Sequence, residues 1–86
     1  MITKLDLYKV FCQVGKSKSF SRAAKELYMT QPAVSQAIMQ LEGELDIRLF
    51  NRTPKGVSLT NEGNILFEYI NSAINLINVG EENILE

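Results

Sequence analysis

The 86-residue sequence predicts a mainly α-helical domain in which three helices and a β-hairpin precede one long final helix. Apolar residues recur every three or four positions through most of the chain, as on the buried face of a helix. One stretch, "RLFNRTPKGVSLT", interrupts that period with two short apolar runs on either side of a Pro-Lys-Gly turn. Helical spacing then returns over residues 61–86, so the sequence predicts one small helical domain carrying a hairpin.

The first two helices are predicted from their apolar stripes and capping residues. A first helix over about residues 4–16 can be capped by Thr3 with Asp6. After "GKSKS" breaks the pattern, Ser19 is a good N-cap for a short second helix over about 20–28. The stripe of the first helix is Leu7, Tyr8, Val10, Phe11 and Val14, and that of the second is Phe20, Ala23, Ala24 and Leu27.

The third helix, over about 31–45, follows the second after only "YMT", and so short a connection turns two helices sharply. Thr30 is its candidate N-cap, and Pro32 lies in the first turn, where its missing N–H costs nothing. The core face of this helix is predicted to be Val34, Ile38, Leu41 and Leu45. The opposite face carries Pro32, Ala33, Gln36, Met39, Gln40 and Gly43, with Ser35 on the flank.

A hairpin over 48–60 is expected next, with strands around Leu49–Phe50 and Val57–Leu59. Pro54 suits position i+1 of a type I turn, and Gly56 suits the left-handed conformation that follows it. Thr60 can then cap the last helix, with Glu62 favourably placed near its N-terminal dipole.

The last helix has an apolar seam of its own, with the alternating steps of four and three residues that pair one helix with another. The seam is Leu66, Ile70, Ala73, Ile77, Gly80 and Ile84, widened by Phe67 and Ile74. A helix over 61–86 is too long to be covered by so small a domain, so it needs a partner helix. We therefore divide the chain into residues 1–60 and a linker helix, 61–86, and expect a homodimer through Leu66, Ile70, Ala73, Ile74, Ile77 and Ile84.

Charge is segregated along the chain. Residues 1–60 hold all nine Lys and Arg residues against five acids, whereas residues 61–86 hold five acids and no base. The net charge of −1 thus combines +4 with −5. Such asymmetry points to nucleic-acid binding with a separate acidic element.

Several other classes of protein are disfavoured. The sequence has no His, the commonest metal ligand, and Cys12 lies in an apolar stretch, which indicates a small core residue rather than a reactive thiol. No metal, cofactor or catalytic site is therefore predicted, and no acid–base pair or Gly-rich phosphate loop indicates an enzyme. Since no apolar run approaches the roughly 20 residues of a membrane span and no signal peptide is evident, we expect a cytoplasmic protein without a membrane partner.

The predicted order of elements is that of a winged helix-turn-helix, in which the second helix of the pair enters the major groove of DNA. The chain resembles the N-terminal DNA-binding domain of LysR-type transcriptional regulators in "AA", "TQPAVS", "QLE", "LF-R" and "LT--G", over about residues 5–66. The resemblance implies a bacterial regulator that binds an interrupted palindromic operator on double-stranded DNA as a dimer through linker helices, which usually pair antiparallel in that family. It also implies a C-terminal domain that senses a small-molecule effector, and higher oligomers of the full-length protein. No such domain is present in the sequence, so we expect the DNA-binding part of a longer regulator.

The resemblance places base-reading residues at Gln31, Pro32, Ser35 and Gln36. The chemistry of the side chains adds that glutamines can donate and accept together, which suits adenine, while Ala33 and Met39 can meet a thymine methyl group. Family members often carry Arg or Lys where this chain has Gln36, Met39 or Gln40, so we hypothesise A·T-rich half-sites. The candidate base contacts are Gln31, Pro32, Ala33, Ser35, Gln36, Met39 and Gln40, although the glutamines and Met39 could also be ordinary surface residues.

Attraction to the DNA backbone must come from outside the third helix, because Thr30 to Leu41 contains no Lys or Arg. One source is the start of the second helix, where free N–H groups and the helix dipole favour an anion. The other is the hairpin tip around Lys55. The candidate backbone contacts are Ser21, Arg22, Lys25, Thr30, Arg52, Thr53 and Lys55.

Two alternatives stay open. Arg52 could brace the hairpin by pairing with an acid instead of touching DNA. A helical protein-interaction module would explain the seam and the acidic last segment, but it gives no reason for the Pro-Lys-Gly tip or for the positive charge gathered in residues 1–60.

Overall fold

The computed structural model describes residues 3–85. Its elements are α1 (Lys4–Ser17), α2 (Phe20–Leu27), α3 (Gln31–Leu45), β1 (Phe50–Thr53), β2 (Gly56–Leu59) and α4 (Asn61–Leu85). The predicted class, three helices with a hairpin wing and a long final helix, is confirmed. Of the predicted segments 1–60 and 61–86, positions 1, 2 and 86 lie outside the described residues.

The first three helices begin at the predicted caps. Thr3 and Asp6 form a reciprocal capping box, in which each backbone N–H donates to the other side chain at 3.1 Å. These hydrogen bonds from Thr3, its backbone N–H first, lower the pKa of the Asp6 carboxyl. Ser19 and Thr30 each accept the backbone N–H of the third residue after them at 3.2 Å.

Each of these helices ends at a residue other than glycine in the left-handed conformation. Lys18, Tyr28 and Asp46 have φ values of 54°, 56° and 54°. The reversal at Tyr28 ends α2 one residue before the predicted boundary. It also turns the chain from α2 into α3, and the Met29 N–H donates back to the Ala24 carbonyl at 2.9 Å.

The core lies where α1, α2 and α3 meet, and the wing closes one side of it. Its buried members are Leu7, Val10, Phe11, Val14, Phe20, Ala23, Ala24, Val34, Ala37, Ile38, Leu41, Leu49 and Phe50. Ala23 and Ala24 are buried between helices, where their small side chains let α2 and α3 approach closely. Cys12 is buried as predicted for a core residue, and burial raises the pKa of its thiol.

The wing is an antiparallel ribbon joined by the two-residue loop Pro54-Lys55. Its register pairs Phe50 with Leu59 and continues to a last pair between Thr53 and Gly56. The first strand therefore runs beyond the predicted Leu49–Phe50, because so short a loop allows pairing up to its edge. Gly56 has the predicted positive φ, at 138°.

Helix α4 begins at Asn61, directly after its predicted cap Thr60, and packs along α1, with Phe67 against Gly15 and Asn71 against Cys12. The Thr60 hydroxyl accepts the Gly63 N–H at 2.9 Å and donates to the Arg48 carbonyl at 2.7 Å. Phe67 lies against Gly15 of α1 so closely that a Cβ on that glycine would be 2.7 Å from the ring. From residue 75 to 85 every side chain of the helix is exposed, so its second half projects from the domain.

Candidate nucleic-acid interface

The outer face of α3 is exposed and carries no charge at the residues predicted to read bases. Gln31, Pro32, Gln36, Met39 and Gln40 are exposed, while Ala33 and Ser35 are partly buried. Met39 is 62% exposed, which leaves a large apolar side chain on an otherwise polar face. The four apolar positions predicted on the other side of this helix are buried or half-buried.

The two glutamines of this face differ in their surroundings. Gln40 Nε2 donates to Glu44 Oε2 at 3.2 Å, one turn further along α3. Glu44 Oε1 in turn accepts from Lys4 Nζ of α1 at 3.1 Å. The hydrogen bonds from Lys4 first, and then from Gln40, lower the pKa of the Glu44 carboxyl. Among residues 3–85, the Gln36 amide has no hydrogen-bond partner.

The start of α2 combines backbone donors with positive side chains. Ser19 Oγ accepts the Arg22 N–H and lies 3.1 Å from Ser21 Oγ. The remaining N–H groups of the first turn have no acceptor within the helix, as at any helix start. Ser21, Arg22 and Lys25 are exposed, so the side chains and the helix dipole together favour an anion here.

The predicted backbone contact Arg52 lies over an aromatic ring of α2. Its guanidinium carbon is 4.3 Å from the centroid of the Phe20 ring. Phe20 packs at 6.0 Å against Phe50, and Phe50 at 5.5 Å against Phe11, so the stack continues into the core. Arg52 therefore braces the wing through a ring, and the acid pairing considered as an alternative is absent among the described residues, whose one ion pair is Lys4–Glu44.

The other candidates on the wing lie at its tip. Lys55 is exposed in the loop, and the Thr53 hydroxyl donates to the Gly56 carbonyl at 3.2 Å. The structure thus brings Arg52 together with the first turn of α2 and leaves Lys55 extended into solvent at the end of the ribbon.

A contact that sequence reasoning missed joins α3 to the wing. Glu42 Oε2 accepts the backbone N–H groups of Leu49 at 2.7 Å and Phe50 at 3.4 Å. A carboxylate of α3 thereby binds the backbone where β1 begins. The "QLE" pattern contained the residue, but no local period indicates that its side chain caps a later segment.

The residues predicted to form a dimer are divided between two environments. Leu66 and Ile70 pack against the domain's own core, and Ile74 is half-buried. Ala73, Ile77 and Ile84 are exposed, Ile84 to 81%. An apolar groove of ≈ 310 Å³ lies between the end of α3 and the start of α4, and is lined by Leu45, Ile47, Glu62, Ile65, Leu66 and Tyr69.

No group of three or more His, Cys, Asp or Glu residues within 3–85 is placed to hold a metal ion. Over the same range, no helix has the length and apolar character that crossing a membrane requires.

Comparison with known proteins gives consistent similarities. Residues 5–64 match the family described as "Bacterial regulatory helix-turn-helix protein, lysR family". An uncharacterized HTH-type transcriptional regulator of Methanocaldococcus jannaschii is 45% identical over 78 residues, which are 91% of this chain and 26% of that protein. The HTH-type transcriptional regulator PerR of Escherichia coli (strain K12) is 41% identical over 76 residues, 88% of this chain and 26% of PerR. The chain thus spans about a quarter of the length of the curated relatives it matches.

Solved structures with the same fold include complexes with DNA. The DNA-binding domain of BenM with the catB site 1 DNA is 30% identical with a TM-score of 0.86, covering 93% of this chain and 86% of that one. The CbnR DNA-binding domain with DNA is 25% identical with a TM-score of 0.83, covering 94% and 93%. DarR of Vibrio fischeri in complex with DNA is 31% identical with a TM-score of 0.82, covering 98% of this chain and 29% of that one.

Proposed function

Because this chain belongs to the lysR family of regulatory helix-turn-helix proteins, we propose that it binds double-stranded DNA sequence-specifically, with α3 in the major groove and the β1–β2 ribbon as the wing. The family is one of transcriptional regulators, not of enzymes. The observation that carries the proposal is the exposed, uncharged outer face of α3, together with exposed positive side chains at the start of α2 and on the wing. The DNA complexes of BenM and CbnR, which have this fold, support it.

Base reading is assigned to the outer face of α3. Gln36 has a free amide, which can donate to N7 and accept from N6 of adenine together. The exposed Met39 can contact a thymine methyl group, and A·T-rich half-sites are the expected preference. The full set is Gln31, Pro32, Ala33, Ser35, Gln36, Met39 and Gln40.

Backbone binding is assigned to the flanking elements. Each Lys or Arg that neutralises a phosphate releases counterions. The logarithm of the affinity therefore falls linearly with the logarithm of the salt concentration, with a slope proportional to the number of such contacts. On α2 the contacts are Ser21, Arg22 and Lys25, and Thr30 lies at the start of α3. On the wing they are Arg52, Thr53 and Lys55.

A gel-shift titration against unrelated duplex DNA at low and moderate salt tests binding itself. A shift at low salt that weakens as salt rises is the expected result. The absence of a shift at every salt concentration would favour the helical interaction module instead. Selection from a random duplex library then tests the base preference, and enrichment of G·C pairs at the positions facing α3 would contradict the A·T assignment.

We also propose a homodimer through α4. Its exposed second half, and the apolar groove beside its first half, leave apolar surface that a second copy would cover. Ala73, Ile77 and Ile84 are the seam residues available for that contact. Ile77→Asp tests the dimer better than a substitution of Ile70 does. Ile70 also packs on the core of its own chain, so its substitution would impair folding as well as association. Sedimentation should show a dimer for the wild type and a monomer for Ile77→Asp, and a wild-type monomer at high concentration would refute the dimer.

The whole-protein context is likewise proposed. Residues 1–60 are assigned as the DNA-contacting unit and 61–86 as the linker helix of a cytoplasmic regulator. Since the relatives are about four times as long, sensing of a small-molecule effector is proposed for the remainder of a longer protein and not for these residues. Ligand screens by thermal shift on the 86-residue chain should therefore find no specific metabolite.

A further inference from the structure

Two exposed glutamines on the outer face of α3 provide a comparison within one helix. The Gln36 amide has no partner in the described part of the chain, so its oxygen and nitrogen can exchange places by rotation about the last side-chain torsion. The Gln40 amide is held, because its Nε2 donates to Glu44 Oε2 at 3.2 Å. Only the second glutamine therefore presents a defined edge to a ligand.

Glu44 is itself fixed by a residue distant in sequence. Lys4 Nζ of α1 donates to Glu44 Oε1 at 3.1 Å, so the two carboxylate oxygens serve two different donors. The Lys4 and Glu44 side chains are 45% and 40% exposed, and such a pair contributes little to stability. In the structure the pair places the carboxylate in the orientation that receives the Gln40 amide, with its negative charge partly compensated.

The orientation of the Gln40 amide follows from this arrangement. Its oxygen must lie on the side away from Glu44, since two oxygen acceptors placed together repel and share no proton. The edge left open to a ligand consists of the Oε1 acceptor and the second hydrogen on Nε2. The oxygen of an amide held in this way accepts from an amino group, whereas a carbonyl oxygen facing the same Oε1 would share no proton with it.

We propose that Gln40 is a specificity-determining residue that accepts a hydrogen bond from an exocyclic amino group in the major groove, with Glu44 and Lys4 as its positioning residues. Adenine N6 and cytosine N4 carry such amino groups, whereas thymine O4 and guanine O6 are acceptors. Adenine is the better of the two partners, because its N7 can accept the remaining Nε2 hydrogen. The proposal rests on the DNA binding proposed above.

Glu44 gives the proposal an unusual signature. Its carboxylate lies on the helix that approaches the polyanionic DNA, so its removal should raise affinity for all sequences. The same removal frees the Gln40 amide and should lower discrimination at one base pair. A residue that only supported the packing of α3 would lower affinity and discrimination together when removed.

The test uses the 86-residue chain and begins with binding-site selection for the wild type and Gln40→Ala. The base pair whose preference is lost in Gln40→Ala is then rebuilt without its amino group, with purine replacing adenine or 2-pyrimidinone replacing cytosine. The wild type should lose roughly fivefold to tenfold in affinity. Gln40→Ala and Glu44→Ala should each lose less than about twofold, and Glu44→Ala should bind the unmodified sites more tightly than the wild type.

Two controls separate orientation from folding. Glu44→Gln keeps an oxygen acceptor for Gln40 and should retain the sensitivity to the amino group. Gln36→Ala defines the base pair read by the unheld glutamine, and Glu44→Ala should leave that preference unchanged. Circular dichroism melts should be alike for all four variants, because the three side chains are exposed.

The results that would overturn the proposal are equally specific. It fails if the affinity loss that depends on Gln40 and Glu44 follows removal of a carbonyl oxygen on the opposite strand instead of the amino group. It also fails if Glu44→Ala loses as much affinity as the wild type when the amino group is removed, or if Gln40→Ala selects the same sites as the wild type. If DNA binding is intact, any of these outcomes rejects only the role assigned to Gln40 and leaves the proposed DNA binding in place. The absence of binding by the wild type rejects the proposed function and this assignment with it.

Discussion

The guanidinium of Arg52 lies 4.3 Å from the centroid of the Phe20 ring, which holds the wing against the first turn of α2. The two residues belong to different elements, and the ring continues into the core through Phe50. Replacement by Lys keeps the charge but removes the planar group that stacks on a ring. We expect Arg52→Lys to lower the free energy of unfolding by about 0.5–1 kcal/mol and to speed amide exchange in β1 and β2.

Urea unfolding and hydrogen exchange measure both effects, and Arg48→Lys is the matched control. Arg48 is also exposed and precedes the same strand, but its side chain stacks on no ring within residues 3–85. Equal behaviour of the two variants would show that the stacking of Arg52 does not hold the wing.

Glu42 supplies a second connection between α3 and the wing. Glu42→Ala removes the acceptor for the N–H groups of Leu49 and Phe50, two residues that are buried. Leaving buried donors without a partner costs about 1–3 kcal/mol. We expect that loss in a urea titration, together with weaker DNA binding, because the wing loses its register with the recognition helix. Glu42→Gln retains a carbonyl acceptor and should recover most of both, whereas identical losses in the two variants would contradict this role.

Two glycines of α4 should respond to alanine in opposite directions. A Cβ on Gly63 would strike the Leu49 carbonyl oxygen, which belongs to the backbone and cannot move aside. Gly80 has nothing within 4 Å of such a Cβ. Thermal unfolding should show Gly63→Ala destabilised by more than about 2 kcal/mol, and Gly80→Ala unchanged or stabilised by up to about 1 kcal/mol. A neutral Gly63→Ala would mean that α4 can withdraw from the wing without cost.

Tyr28 offers a stabilising substitution. Its φ of 56° is costly for a residue with a bulky side chain, and at 97% exposure it recovers almost nothing by packing. Asn tolerates this conformation better, so Tyr28→Asn should raise the free energy of unfolding by about 0.5–1 kcal/mol. Chemical denaturation measures the change. If Tyr28→Asn is less stable than the wild type, the Tyr28 ring must make a stabilising contact that the structure of the single chain does not contain.

The capping box at the start of α1 predicts a dependence on pH. The pKa of Asp6 is lowered in the folded state by hydrogen bonds from Thr3, so its contribution to stability is present above the unfolded pKa of about 4 and is lost as the pH falls through the folded value. Asp6→Asn should therefore be less stable than the wild type at neutral pH and should approach it in acid. Thermal melts between neutral pH and strong acid measure this, and a constant difference across that range would exclude the carboxylate as its source.

Local chemistry explains why so much of the fold could be predicted from the sequence. Thr3, Ser19, Thr30 and Thr60 cap the helices they precede, because a cap and the N–H groups it binds lie within three residues of each other. The apolar stripes of the first three helices are buried or half-buried for a similar reason, since their period is that of the helix itself.

Contacts between distant side chains could not be predicted in this way. Arg52 on Phe20, Glu42 on the Leu49 N–H and Lys4 on Glu44 join elements whose approach depends on the whole packing arrangement. The seam of α4 shows a related limit, because an apolar stripe indicates burial without identifying the partner. Leu66 and Ile70 fit the period of a helix pair, yet both pack on the core of their own chain.

The contact of Phe67 with Gly15 has a consequence for the spacing of the DNA half-sites that a dimer would bind. The ring packs on α1 without space for even one more methyl group, and this contact defines the direction in which α4 leaves the domain. In a dimer built on α4, the distance between the two α3 helices would be fixed by the paired α4 helices and not by a flexible linker. Operators would then be selected by the length of the spacer as well as by their bases, and adding half a helical turn, about 5 base pairs, would turn one half-site to the wrong side of the duplex.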